Sequence, residues 1–172
     1  MTSAVIRELS SHDPMTMHAA FDALGWNKPV SLFERYLDEH TAGSRYCVLA
    51  EFDGDFCGYV TLAWTSAYPP FAELRIPEIS DLNVLPAYRR RGIASALLDH
   101  VESMARQRSP MVGLGVGLYA DYGSAQRLYV RRGYLPDGNG VMYDNEPVPP
   151  GDLVRLDDDA TLMFIKRFDQ VG

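Results

Sequence analysis

Residues 82–94, Leu82-Asn83-Val84-Leu85-Pro86-Ala87-Tyr88-Arg89-Arg90-Arg91-Gly92-Ile93-Ala94, carry the most legible chemistry in this chain. An apolar strand end runs into Val-x-Pro. An Arg-rich turn with the pattern Arg-x-x-Gly-x-Ala follows, and an amphipathic helix starts at once. The first N–H groups of a helix have no intrahelical partner, and the helix dipole is positive there. Gly92 and Ala94 keep the backbone open to a bulky anion, and Gly92 tolerates a strained turn. Arg89, Arg90 and Arg91 add charge-assisted donors. These features predict a cradle for a diphosphate. It is not a Walker loop, because neither Lys-Ser nor Lys-Thr occurs in the chain. A dinucleotide fingerprint needs three spaced glycines after a first strand, and here Arg stands in place of the first.

A second constellation is Ala125-Gln126-Arg127-Leu128-Tyr129-Val130-Arg131-Arg132-Gly133-Tyr134. Tyr129 lies on a short helix that Gly133 can cap. A phenol has a pKa of about 10 and a thiol about 8.5, close enough for a hydrogen bond to become a proton transfer. Among carboxylates, Asp81 is the candidate nearest the cradle, with Glu73 and Glu78 as second choices. Cys57 sits mid-strand without a neighbouring His, so a structural thiol is expected. His12, His18, His40 and His100 fall in helices or caps, and no Ser-His-Asp arrangement or metal-ligand spacing occurs.

Together the two segments resemble motifs A and B of the GNAT superfamily of N-acetyltransferases. In that family Val-x-Pro ends the fourth strand, Arg/Gln-x-x-Gly-x-Gly/Ala grips the diphosphate of acetyl-coenzyme A, and Ala-x-x-Leu-Tyr-x-x-x-Gly-Phe/Tyr supplies a tyrosine acid. The resemblance is strong over residues 79–135 and looser elsewhere. It implies acetyl transfer to an amine by direct attack in a ternary complex, with acetyl-coenzyme A as acyl donor and no metal. Cofactor contacts would come from Leu82, Asn83 and Val84 through backbone groups, from Arg89 to Arg91, Gly92, Ile93 and Ala94, and from Tyr122 and Ser124. One N–H of residues 82–84 would polarise the acetyl carbonyl. Tyr129 would protonate the departing thiolate. Asp81 would act as base or hold the acceptor, since an amine with pKa about 10.4 must first lose a proton.

Two positions depart from the family. Tyr122 stands where many members carry an Asn that bonds the cofactor arm, and Gly117 where some carry a Glu base. Two further readings therefore stay open: a non-catalytic coenzyme A-binding sensor, and a transferase of a different acyl group. Acidic residues Glu73, Glu146 and Asp157 to Asp159, in loops at Trp64–Pro77 and Asn145–Asp159, point to a small cationic amine among the open acceptor classes. A homodimer is implied by the resemblance alone.

The positioning elements read as follows. Strands are expected at Ala4–Leu9, Tyr46–Glu51, Phe56–Trp64, Ile79–Val84, Met111–Leu118, Val141–Tyr143 and Thr161–Phe168. Helices are expected from Asp13 to about Leu24, Ser31 to His40, Arg91 to Gln107 and Ser124 to Arg131. The Arg91–Gln107 helix buries Ile93, Leu97, Val101 and Met104 as one stripe. Ser66–Pro77 reads as loop. Gly113, Gly115 and Gly117 dilute one strand, which suggests a close backbone or ligand, or a bent or edge strand. The order predicts an α/β (α+β) fold with a central mixed, mostly antiparallel sheet flanked by helices, its fourth and fifth strands splayed. Residues 1–172 form a single domain on this reading.

A length of 172 residues suits one core, and 47% hydrophobic with 23% charged is ordinary globular composition. The net charge of −7 argues against nucleic acid as partner. No run is long enough to span a membrane, and the N-terminus lacks a signal-peptide pattern. Asp53-Gly54 predicts a two-residue hairpin that would pair Cys47 with Val60 and Cys57 with Ala50, on opposite faces. Two unpaired thiols fit a cytoplasmic setting.

Overall fold

The structure, a computed structural model, describes residues 3–169. Met1 and Thr2, on which the N-terminal reading partly rests, lie outside the described residues. Among the described residues there are eight strands: β1 (Val5–Glu8), β2 (Arg45–Phe52), β3 (Asp55–Ala63), β4 (Glu78–Val84), β5 (Met111–Gly117), β6 (Leu135–Tyr143), β7 (Glu146–Pro147) and β8 (Ala160–Arg167). The helices are α1 (Asp13–Asp22), α2 (Val30–Ala42), α3 (Pro69–Leu74), α4 (Ile93–Arg106) and α5 (Gly123–Arg131). The strand order is β1-β2-β3-β4-β5-β8-β6-β7. Pairing is antiparallel for β1–β2, β2–β3, β5–β8, β6–β8 and β6–β7. β4 opens parallel to β5, Glu78 opposite Gly113 and Ile79 opposite Leu114. This is the mixed, mostly antiparallel α/β architecture that the element order predicts.

The chain forms two compact units, residues 3–64 with 80–104 and residues 65–79 with 105–169. The first is built on a core of Met17, Phe21, Phe33, Tyr36, Cys47, Leu49 and Tyr59, all buried. α2 contributes Phe33 and Tyr36, one turn apart on one face. It ends at Gly43 in the left-handed region (φ 81°), where the N–H of Gly43 bonds the His40 carbonyl and that of Ser44 the Glu39 carbonyl. α4 buries Ile93, Leu97 and Val101 as expected, with Leu98 and Ala105. Met104 is only partly buried, because Ala105 takes the inward position at the helix end.

α1 starts at a tethered carboxylate. Asp13 accepts two bonds of 2.8 Å from Arg7 and further bonds from the N–H and hydroxyl of Ser10. Burial opposes ionisation of Asp13, but these donors outweigh it and hold the carboxyl below its ordinary value. The stabilisation is therefore present above the ordinary value of 3.8 and is lost as pH falls through the lower folded value. Unfolding free energy should fall steeply on acidification below about pH 4, and Asp13→Asn should flatten that acid limb in urea titrations at stepped pH.

The β2–β3 hairpin turns through Asp53 (φ 53°) and Gly54 (φ 87°), the left-handed pair that a two-residue hairpin needs. The expected register holds only next to the turn, where Phe52 faces Asp55 and Glu51 faces Phe56. A bulge then shifts it, so that Ala50 faces Gly58 and Cys47 faces Thr61. Cys57 is the extra residue, and its thiol bonds the Ala50 carbonyl at 3.2 Å. The pairings expected for Cys47 and Cys57 are thus corrected by one inserted residue. Both thiols are free and buried.

The second unit packs Tyr68, Phe71, Ile76, Met142 and Met163. Pro69–Leu74, expected as loop, forms α3; Pro at its first positions starts the turn and buried Phe71 holds it. β6 is longer than expected because it pairs with β8 at Leu135 and Pro136 as well as at Val141–Tyr143. The glycines of β5 correct another expectation. β5 lies between β4 and β8, so it is no edge strand, and side chains fill the glycine positions. A Cβ at Gly113 would lie 2.2 Å from the Phe71 ring, and one at Gly115 2.9 Å from Met163 Sδ.

Candidate active site

The first unit carries Asp81, Leu82, Asn83, Val84 and the residues from Arg89 to Ala94. β4 ends at Val84, and Leu85 ties it to the hairpin through its N–H to the Cys57 carbonyl at 2.9 Å. Pro86–Tyr88 makes one 3-10 turn. Arg90 (φ 59°) and Gly92 (φ 78°) then both take left-handed backbone, reversing the chain immediately before α4. An added Cβ at Gly92 would meet no atom within 4 Å, so the turn requires Gly for its backbone conformation and not for interior space. The opening N–H groups of α4 follow directly, with the donors of P-loop-like anion sites. Arg89 Nε donates to the Val84 carbonyl at 3.1 Å, and its guanidinium lies over Trp26. Arg91 lies over Phe52 and Tyr88. The guanidinium planes are thus held by aromatic faces beside the turn.

β4 is irregular at Asp81, whose φ of 55° is unusual for a non-glycine strand residue. The twist sends its carboxylate into a ring of donors. Oδ1 accepts from Lys28 Nζ and Asn83 Nδ2, each at 2.8 Å. Oδ2 accepts from Tyr36 at 3.0 Å and, by a short bond, from Tyr59. Burial first, and the Asp81 charge second, hold both phenols far above their ordinary pKa, so they stay protonated donors. Opposite Asn83, Gly58 of β3 lies so close that a Cβ there would sit 2.6 Å from the Asn83 carbonyl oxygen. Gly58→Ala should therefore push β4 outward, costing roughly 1–3 kcal/mol. A shifted urea midpoint would register this.

The second unit carries Tyr122, Ser124 and Tyr129. α5 starts at Gly123 and closes with Gly133 (φ 89°), where the Tyr134 N–H bonds the Tyr129 carbonyl at 3.0 Å. Tyr129 is 7% exposed and packs edge-on against Tyr134 at 5.8 Å. Its hydroxyl has no hydrogen-bond partner among the described residues, yet it is not sealed from solvent. Burial alone pushes its pKa up to about 12. Ser124 lies in a shallow concavity with Gly123, Gln126, Arg127 and Arg131.

Tyr122 and Gly117 turn out to be linked. A Cβ at Gly117 would stand 2.3 Å from the Tyr122 ring, so the ring fills the space of a side chain at position 117. The Tyr122 hydroxyl donates to Asp158 Oδ1 at 2.8 Å, and Tyr119 donates to the same oxygen. Sequence reasoning missed Lys28, which sits in no motif, and read Asp158 only as part of an acidic loop, whereas it accepts from two phenols. The second-choice carboxylates are placed elsewhere: Glu73 is exposed on α3, and Glu78 accepts a bond from Ser66. The Cys57 thiol, pushed up to about 11 by burial, is not a thiolate at neutral pH.

The mixed, mostly antiparallel sheet has the order β1-β2-β3-β4-β5-β8-β6-β7, flanked by helices. The family model described as Acetyltransferase (GNAT) family matches residues 13–134, well over half of the chain. The chain belongs to the GNAT acetyltransferase family and is an enzyme of that class. No curated protein matches it by sequence. Among solved structures it is similar to an N-acetyltransferase from Staphylococcus aureus Mu50, with 16% identity, 96% and 98% of the two chains covered and TM-score 0.71. It is also similar to a ribosomal-protein-alanine N-acetyltransferase from Brucella melitensis, with 18% identity, 95% and 99% covered and TM-score 0.70. A third is diaminobutyrate acetyltransferase from Paenibacillus lautus, in complex with L-2,4-diaminobutyric acid and coenzyme A, with 21% identity, 100% of both chains covered and TM-score 0.69. At these identities the likeness concerns the fold. Among the described residues, no helix is long and apolar enough to cross a membrane and no group of side chains could hold a metal ion.

Proposed function

We propose that residues 1–172 act as one domain that moves an acetyl group from acetyl-coenzyme A to a primary amine, in a cytoplasmic setting. The Arg90–Gly92 turn and the opening N–H groups of α4 suit a diphosphate, with Arg89 and Arg91 beside them. Leu82, Asn83 and Val84 offer backbone groups to the pantetheine arm, and one of their N–H groups would polarise the thioester carbonyl. Ser124 at the start of α5 and Tyr122 just before it supply contacts. Asp81 holds the acceptor's ammonium. With all four of its lone-pair positions taken, it is better suited to binding than to removing a proton, so the proton leaves through water. Tyr129 donates to the departing sulfur. Its raised pKa does not spoil the match, because a thiolate expelled into the same dry surroundings is raised by the same desolvation.

The observation that carries this reading is Tyr129: a buried phenol on the motif-B helix whose hydroxyl is unpartnered and open. The test is release of free thiol from acetyl-coenzyme A across polyamines, aminoglycosides, amino acids and short peptides. Turnover with one amine class names the acceptor. Binding of acetyl-coenzyme A without turnover on any amine overturns the transfer reading. It would favour a coenzyme A sensor, a reading that the Tyr122 ring in place of an acidic side chain at 117 also supports. The dimer implied by the resemblance is checked by sedimentation.

A further inference from the structure

The Asp81 cluster contains a feature that neither a catalytic base nor a simple ion pair accounts for. The carboxylate is filled by four donors, and one of them is a primary ammonium. The chain has 16 Lys and Arg residues, and only two of them, Lys28 and Lys166, are Lys. One of those two is placed here. Lys28 Nζ lies 2.8 Å from Asp81 Oδ1 and 5.6 Å from the ring centroids of both Phe21 and Tyr59. A carboxylate and two aromatic faces around an ammonium are groups that can recognise an alkylammonium ion.

The other donors are fixed. Tyr36 and Tyr59 are 7% and 2% exposed, set in the core of the first unit, and Asn83 bonds the carboxylate from the same strand. Lys28 alone comes from a connection, the residues between α1 and α2, and its side chain keeps 18% of its exposure. That connection is held by the Lys28 carbonyl against His18 Nδ1 at 2.8 Å and by Trp26 against Phe21. Trp26 is also the ring on which Arg89 of the anion turn rests.

We propose that Lys28 holds the place of the acceptor: the cage of Asp81, Tyr59 and Phe21 is a primary-ammonium site that a substrate amine occupies by displacing Lys28. One ammonium leaves as another enters, so the cage keeps its charge balance. Arg would serve an ordinary structural pair at least as well, through two parallel bonds. A Lys in that place matches the substrate in shape and charge. The inference rests on the amine-transfer reading only for the identity of the displaced partner's competitor. Its test measures binding without turnover.

n-Butylamine is the probe, with 1-butanol as the neutral control. Two lysines make carbon-13 labelling of lysine side chains readable in the intact protein, with Lys166→Arg assigning the pair. The Lys28 Cε signal is expected to start shifted by the Phe21 and Tyr59 rings and to move to the free-lysine position as n-butylamine is added. Lys166 should stay put, and 1-butanol should move neither. By calorimetry, Lys28→Met should bind n-butylamine about tenfold more tightly than the unmodified chain, since the cost of displacement is gone. Asp81→Asn in the Lys28→Met background should abolish the gain. An unmoved Lys28 signal at saturating amine, or equal affinity with and without Lys28, overturns the proposal. If the cage binds amine as expected but no amine is ever acetylated, the transfer reading fails and the site stands. If an amine is acetylated while Lys28 does not move, the reverse holds.

Discussion

Tyr129→Phe should lower kcat for acetyl transfer by roughly 10²–10⁴-fold, the span of a positioned proton donor, with the KM for acetyl-coenzyme A and the melting temperature nearly unchanged. The stability half of this expectation follows from the absence of a hydrogen-bond partner. Removing a bonded hydroxyl orphans its partner and costs about 1–3 kcal/mol. The Tyr129 hydroxyl has no partner among the described residues, so its loss orphans nothing, and the ring still packs against Tyr134. A fall in rate without a fall in stability would then belong to the chemistry. At neutral pH a phenol raised to about 12 is fully protonated, so the group is a donor throughout the working range. Titration of Tyr129 should accordingly leave no break in the rate profile below about pH 10. Stopped-flow detection of thiol release, with thermal unfolding of the same preparation, checks both halves. An equal rate in the variant would remove Tyr129 from the mechanism.

Asp81→Ala is the change expected to damage the fold most, by about 3 kcal/mol. The loss leaves the Tyr36 and Tyr59 hydroxyls buried without their acceptor, at roughly 1–3 kcal/mol each. It also leaves the Lys28 ammonium facing two aromatic rings with no counter-charge. The partial exposure of Lys28 and Asp81, 18% and 20%, keeps the total toward the lower end of the roughly 3–5 kcal/mol for breaking a fully buried pair. A double variant that also replaces Lys28 with Met should recover part of the loss, since the stranded charge goes with it. Urea unfolding of the single and double variants measures the coupling. Full stability in Asp81→Ala would mean that solvent replaces the carboxylate at no cost.

The turn before α4 was legible because all its parts are local. Val-x-Pro, the Gly92 turn and the stripe of α4 lie within some twenty residues, and the helix period puts Ile93, Leu97 and Val101 on one side without reference to the rest of the chain. The Gly133 cap that sets Tyr129 on its helix is equally local. Elsewhere the pattern misled. Asp53-Gly54 correctly announces a hairpin, but the bulge that displaces Cys57 depends on how the two strands pair farther along. Pro69–Leu74 has too few residues to show a helical period, and only the burial of Phe71 makes it a helix.

By itself, then, the sequence determined the family, the mixed α/β class, the turn at Gly92 before α4 and the Gly133 cap after Tyr129. Each of these rests on contacts between near neighbours. The tertiary structure alone decided what surrounds Asp81, because Lys28 stands 53 residues away from it, Tyr36 45 and Tyr59 22. It alone showed that the glycines of β5 make room for Phe71, Met163 and Tyr122. Such partners meet only when the chain folds back on itself, and side-chain volume and charge at one position carry no mark of which distant position will face them.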